Sequence, residues 1–276
     1  MKQLEVVNPF GTPVYHEETV SSTMEVSRVL AARGEPHGTV ITADFQQAGR
    51  GRTPGRKWEM EKKSSLPFTI LLRYLSIEEI PSALTLRVGL AVSAAIEQFA
   101  PSLRVKVKWP NDIMIGDKKA AGIYCEADGG IVYCGIGINA GQRSFPPELS
   151  EKATSISLAL GTNINEKELF TLLEKVLACL YDELSFAAGS NAVNVDGIAF
   201  GADTATCKDD FPARLEKRLY KIGEQVKFIE GAAESGRVVT GIIVGIGNNG
   251  ELLLKIGEET HSFTTGELDV YNTAHS

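Results

Sequence analysis

Two rhythms of apolar residues alternate along the chain. In SSTMEVSRVLAARG (21–34), Val26, Val29 and Leu30 recur at helical spacing. Ser22, followed three residues later by Glu25, reads as a capping box, and Gly34 supplies a left-handed stop. NINEKELFTLLEKVLACLYDEL (163–184) predicts a second helix, boxed by Asn165 and Glu168, with Leu169, Leu172, Val176, Leu180 and Leu184 on its core face. The mostly apolar stretch 80–100 predicts a long buried helix. Short strands are predicted at 39–45 and 64–75. In RVKVKW (104–109) basic residues alternate with Val105, Val107 and Trp109 at the period of a strand. A hairpin follows through GDKK, then a DGG turn (128–130) into IVYCGIGIN. This part is an antiparallel meander with helices elsewhere, not a doubly wound repeat. The segment 185–210 reads as a loop, and PARLEKRL as a short helix. From about Gly223, some five short strands separated by turns such as GNNG predict a small barrel. The domain break falls near 220, giving domains 1–220 and 221–276.

Composition narrows the class. With 276 residues, 43% of them hydrophobic and 23% charged, the chain is an ordinary globular protein of one large domain, or of a large one with a small one. No apolar run reaches the ~18 residues of a membrane span, and the N-terminus lacks the apolar stretch of a signal peptide. The expected location is the cytoplasm. Cys125, Cys134, Cys179 and Cys207 show no C-x-x-C spacing and no neighbouring histidine pair, so reduced, mostly buried thiols are expected and no metal site. The net charge of -7 argues against a dedicated nucleic-acid binder.

Against that acidity, ADFQQAGRGRTPGRKW (43–58) crowds Arg50, Arg52, Arg56 and Lys57 among Gly49, Gly51, Gly55 and a proline. Glycine amides and guanidinium forks suit a phosphate or carboxylate. A P-loop is excluded, because no G-x-x-x-x-G-K-[ST] occurs. Taken alone, the cluster also fits a solvated surface loop or an RGG-like nucleic-acid contact. KWPND (108–112) places Lys108 before an aromatic, a proline stop and the polar pair Asn111–Asp112. Lys119 follows across the hairpin, beside Ala120, Ala121 and Gly122. Each lysine alone also fits a solvated strand edge.

Together the motifs resemble one family, the biotin protein ligases. Ser22-Thr23, QQAGRGR, KWPND, KAAG, GIGIN and TTGEL appear in the family's order over nearly the whole chain. The resemblance implies an α+β fold: a mixed β-sheet with flanking helices, as in biotin/lipoate ligase catalytic domains, plus a C-terminal SH3-like β-barrel. It implies a two-step ligase that forms biotinyl-5'-AMP from biotin and ATP with Mg2+, then transfers biotin to a lysine of a biotin carboxyl carrier protein. Carried over by position, Ser22, Thr23, Gln46, Gly49, Arg50, Lys119 and Gly122 would bind biotin. Arg52, Trp58, Lys108, Asn111, Asp112 and Asn139 would serve the nucleotide, with Lys119, Arg52 and Asp112 in catalysis.

The chain departs from the family at Met24, where Asn is usual, and carries one extra residue between Arg52 and Gly55. The catalytic resemblance starts within the first ~20 residues, so no DNA-binding domain is expected; a monomer or homodimer is. A lipoate protein ligase shares the fold and the adenylation chemistry. A non-catalytic RNA-binding module is the reading from another class. The C-terminal 56 residues weigh against it, with four Lys/Arg against eight Asp/Glu.

Overall fold

The computed structural model describes residues 1–52, 58, 60–188, 194–195, 198–199, 210–231 and 236–269. Gly55, Arg56, Lys57, Cys207 and most of the predicted loop 185–210 lie outside the described residues.

The first half of the chain builds an eight-stranded mixed sheet: β1 (Lys2–Gln3), β2 (Val14–Val20), β3 (Val40–Gln46), β4 (Ser65–Arg73), β5 (Val105–Lys108), β6 (Asp112–Ile115), β7 (Lys118–Asp128) and β8 (Ile131–Asn139). Their order is β1-β2-β3-β4-β8-β7-β6-β5. Only β2 and β3 pair in parallel, joined by the crossover helix α1 (Thr23–Ala32). The remaining pairs are antiparallel, as the meander pattern predicts. The sequence pattern does not disclose β2, because VYHEETV holds four polar, titratable residues in a row, Tyr15 to Glu18.

Helix α2 (Leu84–Phe99) starts four residues later than predicted, after Ala83 in a left-handed conformation (φ 56°). Its apolar faces pack on the sheet and on α5 (Glu166–Ala188). The α5 capping box is realised: Glu168 N–H donates to Asn165 Oδ1 (3.0 Å) and Asn165 N–H to Glu168 Oε2 (2.8 Å). All five predicted α5 core leucines and valine are buried. The α1 box is only half made. Ser22 Oγ accepts from Met24 N–H (3.3 Å), while Glu25 faces Arg50 at 3.8 Å. Val29, predicted on the core face, is half exposed; Leu30 is buried.

Two one-turn helices, α3 (Pro147–Ser150) and α4 (Ile156–Leu160), follow β8. A small pair, β9 (Asn194–Val195) and β10 (Ile198–Ala199), precedes α6 (Phe211–Glu216). The chain then forms an antiparallel five-stranded sheet from β11 (Gln225–Glu230), β12 (Arg237–Ile246), β13 (Leu252–Ile256), β14 (Glu259–Phe263) and β15 (Gly266–Asp269). Its order is β14-β13-β12-β11-β15. Trp109 ties the two sheets together. Its indole N–H donates to Gly250 O (2.9 Å) and its ring packs on Phe228 at 5.8 Å, within one continuous hydrophobic core. No helix among the described residues is long and apolar enough to cross a membrane.

Candidate functional site

The parallel crossover β2–α1–β3 sets Ser22-Thr23 at the start of α1 beside Gln46 at the end of β3. Thr23 donates twice to Gln46 Oε1, from its backbone N–H (2.8 Å) and its hydroxyl (3.0 Å), and accepts from Thr69 Oγ1 (2.9 Å). These bonds fix the Gln46 amide and leave its nitrogen as the group a ligand can meet.

Opposite stand β7 and β8, whose glycines make a flat wall. A Cβ on Gly137 would sit 2.7 Å from the Trp58 ring, and one on Gly122 3.0 Å from it. Only glycine lets the indole lie so close to the strands. Trp58 is held there by its backbone N–H, which donates to Gly49 O (3.0 Å).

Lys119 Nζ lies 5.7 Å from the Trp58 ring centroid and 2.5 Å from Asp112 Oδ1. Asp112 Oδ2 also faces Lys108 Nζ at 4.0 Å. Lys108 is 2% exposed, so the reading of it as a solvated strand edge fails. The tight β5–β6 connection and the pairing of Asp112 with Gly122 bring this group of charges together.

The backbone of Lys119 is gripped from the other side: its N–H donates to Lys152 O (2.8 Å) and its carbonyl accepts from Thr154 N–H (2.9 Å). Asn111 is fixed to the same strand, its side chain donating to Ile123 O (2.9 Å) and its carbonyl accepting from Ile123 N–H (3.0 Å).

These residues line two adjoining cavities. The first, of about 60 Å³, takes in Ser22, Thr23, Gln46, Arg50 and Gly122. The second, of about 100 Å³, takes in Lys108, Asp112 and Glu267. Gly51, Arg52, Trp58, Asn111 and Lys119 line both. Arg52 donates to Gly266 O (3.1 Å), tying the arginine loop to the TTGEL segment of the second sheet.

Two predicted residues stand apart from both cavities. Gly49 supports Trp58 from behind. Asn139 is 4% exposed, and its side chain is engaged by the protein: Nδ2 donates to Thr154 O (3.1 Å) and Oδ1 accepts from Gln142 Nε2 (3.1 Å).

The sequence reading missed Met24, Tyr124 and Gly135 as lining residues. The small-x-small spacing of Gly135 and Gly137 on one strand face is the signal that discloses the wall. A larger cavity of about 700 Å³ opens between α2, α5 and α6. It holds ion pairs, Arg218 with Glu97 (2.6 Å) and Arg214 with Glu183 (2.5 Å), and none of the predicted site residues lines it.

Fold and site together define a class. Residues 17–142 match the Biotin/lipoate A/B protein ligase family. Residues 221–271 match the Biotin protein ligase C terminal domain, and the chain belongs to the biotin protein ligase family.

The chain is 36% identical over 177 residues to the Bifunctional ligase/repressor BirA of Bacillus spizizenii, covering 61% of this chain and 53% of that protein. It therefore spans about half the length of the Bacillus relatives it matches. With the Biotin--[acetyl-CoA-carboxylase] ligase of Mycobacterium tuberculosis it shares 26% identity over 254 residues, 91% of this chain and 86% of that one. The solved biotin protein ligase of Aquifex aeolicus in complex with biotin and ATP superposes with a TM-score of 0.74 at 29% identity, covering 92% of this chain and 97% of that one.

Proposed function

We propose that this chain activates biotin with ATP as biotinyl-5'-AMP and transfers the biotinyl group to one lysine of a biotin carboxyl carrier protein. The observation that carries the reading is the pair of adjoining cavities with Lys119, Arg52 and Trp58 on their shared border. The first step joins two anions: a biotin carboxylate oxygen attacks the α-phosphorus of ATP, and pyrophosphate leaves. Their mutual repulsion, and the charge that builds at phosphorus, call for cations fixed in place beforehand.

In this reading Thr23, Gln46 and Ser22 receive the polar ring of biotin, Gly122 lets it approach the strand, and Arg50 and Gly49 belong to the loop beside it. Lys119 stands where carboxylate and α-phosphate meet, and Arg52 closes on the phosphate. Trp58, Lys108, Asn111 and Asn139 serve the nucleotide side, Asn139 from behind as the residue that braces Lys119.

In the second step a carrier lysine amine attacks the acyl carbon and AMP leaves. That amine must be neutral, although an unperturbed lysine has a pKa of ~10.4. Asp112 is the carboxylate nearest to Lys119 and orients the incoming amine or takes its proton.

No group of three or more His, Cys, Asp or Glu among the described residues could hold a metal, and Asp112 already faces two lysines. Among the described residues there is thus no cage for Mg2+, which would be held mainly by the phosphates of ATP, with the cationic side chains acting beside it. Residues 1–220 form the catalytic unit and 221–276 the C-terminal one. The five short strands of the latter, with the first joined to the second and the last, support an SH3-like reading. The expected setting is the cytoplasm, as a monomer or homodimer.

ATP–pyrophosphate exchange tests the reading directly. Exchange should require biotin and be absent with lipoate. Exchange driven by lipoate, or by neither acid, would overturn it.

A further inference from the structure

Behind the cavity wall, on the core side of the same two strands, lies a pair of thiols that the proposed reaction does not use. Strands β7 and β8 turn through Gly129–Gly130, and Cys125 is the register partner of Cys134. Counted from the closing pair Asp128↔Ile131, hydrogen-bonded and non-hydrogen-bonded pairs alternate, and Cys125↔Cys134 falls on a non-hydrogen-bonded one. At such a pair the Cα atoms stand ~4.5 Å apart, inside the ~4.4–6.8 Å that a disulfide spans. The two Sγ atoms are 3.1 Å apart. Cys134 is fully buried and Cys125 partly so, which leaves Cys125 as the sulfur an oxidant meets first. The hydrogen bond to Cys125, then burial, push the Cys134 thiol up, so it stays protonated until its partner reacts. The next register pair, Tyr124↔Gly135, lines the first cavity, and a Cβ on Gly135 would already lie 3.0 Å from Met24 Sδ. The wall has little slack.

We propose that Cys125 and Cys134 form an oxidisable dithiol that closes to a cross-strand disulfide with a hydroperoxide as oxidant, and that closure weakens ligand binding by shifting Tyr124 and Gly135. The Cys125 thiolate attacks a peroxide oxygen and breaks the O–O bond, giving a sulfenic acid on Cys125 and an alcohol or water. Cys134 then loses its proton, its sulfur attacks Cys125 Sγ, and the sulfenic hydroxyl leaves as water. Two thiols are oxidised and one peroxide is reduced. Closing the sulfurs from 3.1 Å to the ~2.05 Å of a disulfide turns both side chains and locks the strand pair at this register, twisting it locally beside Tyr124 and Gly135. An external dithiol reverses it.

Both cysteines fall in one tryptic peptide, 120–143, which contains no internal Lys or Arg. After brief treatment with hydrogen peroxide and alkylation, that peptide should be lighter by two hydrogens and carry no alkyl group, and dithiothreitol should restore both alkylation sites. Cys179, on another tryptic peptide, should stay alkylated. Uptake of two alkyl groups after peroxide, or a sulfinic acid on Cys125 without a disulfide, would overturn the proposal. The disulfide form should bind biotin severalfold more weakly than the reduced chain, and Cys125→Ser should bind equally well before and after peroxide. Unchanged binding by the disulfide form would overturn the regulatory claim. That claim rests on the biotin reading; a reduced chain with no biotin-dependent exchange would sink the reading itself, while the peptide mass still decides the chemistry of the thiols.

Discussion

The wall of the site and the loop that faces it are built on opposite principles. On the wall, Lys119 is held at its backbone by Lys152 and Thr154 and at its charge by Asp112, and Asn111 is bonded twice to Ile123. Its polar groups are aimed before any ligand arrives. In the loop, Arg50 is 68% exposed and lies 3.8 Å from Glu25, while Arg52 makes one hydrogen bond to a carbonyl of another sheet. A surface pair of that kind contributes ~0–1 kcal/mol. The difference separates two tasks. A fixed cation lowers a barrier because its position costs nothing at the moment of reaction. A loosely tied cation can exchange a weak contact for a phosphate oxygen, and so can close over a ligand.

Breaking the wall should therefore cost most. Lys119→Ala removes the charge between two anions, and losing one such aimed contact raises the barrier by ~3 kcal/mol, a loss of ~100-fold or more in pyrophosphate exchange. Near-normal exchange would remove Lys119 from the chemistry. Asp112→Asn comes next. It removes the carboxylate that Lys119 meets at 2.5 Å and that the buried Lys108 faces at 4.0 Å. Breaking a buried pair costs ~3–5 kcal/mol, and this one is longer and partly exposed, so a loss of ~1–3 kcal/mol in stability is expected. Single-turnover transfer from preformed biotinyl-AMP should slow more than adenylation does. If both steps slow equally, Asp112 acts only as the anchor of Lys119.

How much of this was legible in the sequence follows from how local each feature is. The α5 cap and core face lie within single turns of helix, and both were readable from Asn165, Glu168 and the leucine spacing. So were the hairpins around Gly116 and Gly129, and the pairing of KWPND with KAAG across one of them. Burial of Lys108 was not readable, because RVKVKW alternates as a half-exposed strand would. Its charge goes inward toward Asp112, four residues on, which turns back to face it. The saturation of Asn139 was equally hidden, since its partners Thr154 and Gln142 come from the irregular chain after β8. Ser22 and Glu25 show the limit of a motif: the spacing was right, yet Glu25 lies beside Arg50 instead of the cap.

A smaller effect is expected where wall and loop touch. Gly137→Ala places a methyl 2.7 Å from the Trp58 ring while leaving β8 paired with β4 and β7. The indole must move, and the sheet need not. Thermal stability should change little while biotin binding weakens several-fold. A fall in stability as large as that in binding would mean that the wall, not Trp58, gave way.

The smallest effect on the first chemical step belongs to the loop itself. Arg52→Gly removes one guanidinium fork and adds another glycine to a segment already rich in them, so closure is weakened both in enthalpy and in entropy. In the ligand-free chain the lost group was one hydrogen bond to Gly266 O, worth ~1 kcal/mol at most. Lys119 and Asp112 stay in place, so exchange should fall only a few-fold. Retention should suffer more than formation, because the loop's charge acts on the adenylate already made. Biotinyl-AMP should escape and label lysines on bystander proteins, read as biotin on added serum albumin. Trypsin checks the premise in the parent chain. Without ligand, cutting after Arg50, which is exposed, should outpace cutting after Arg52, which is tied to Gly266. Biotin with ATP should slow both. Equal rates with and without ligand would mean that the loop does not close, and bystander labelling by Arg52→Gly no greater than that by the parent would mean that it holds nothing in.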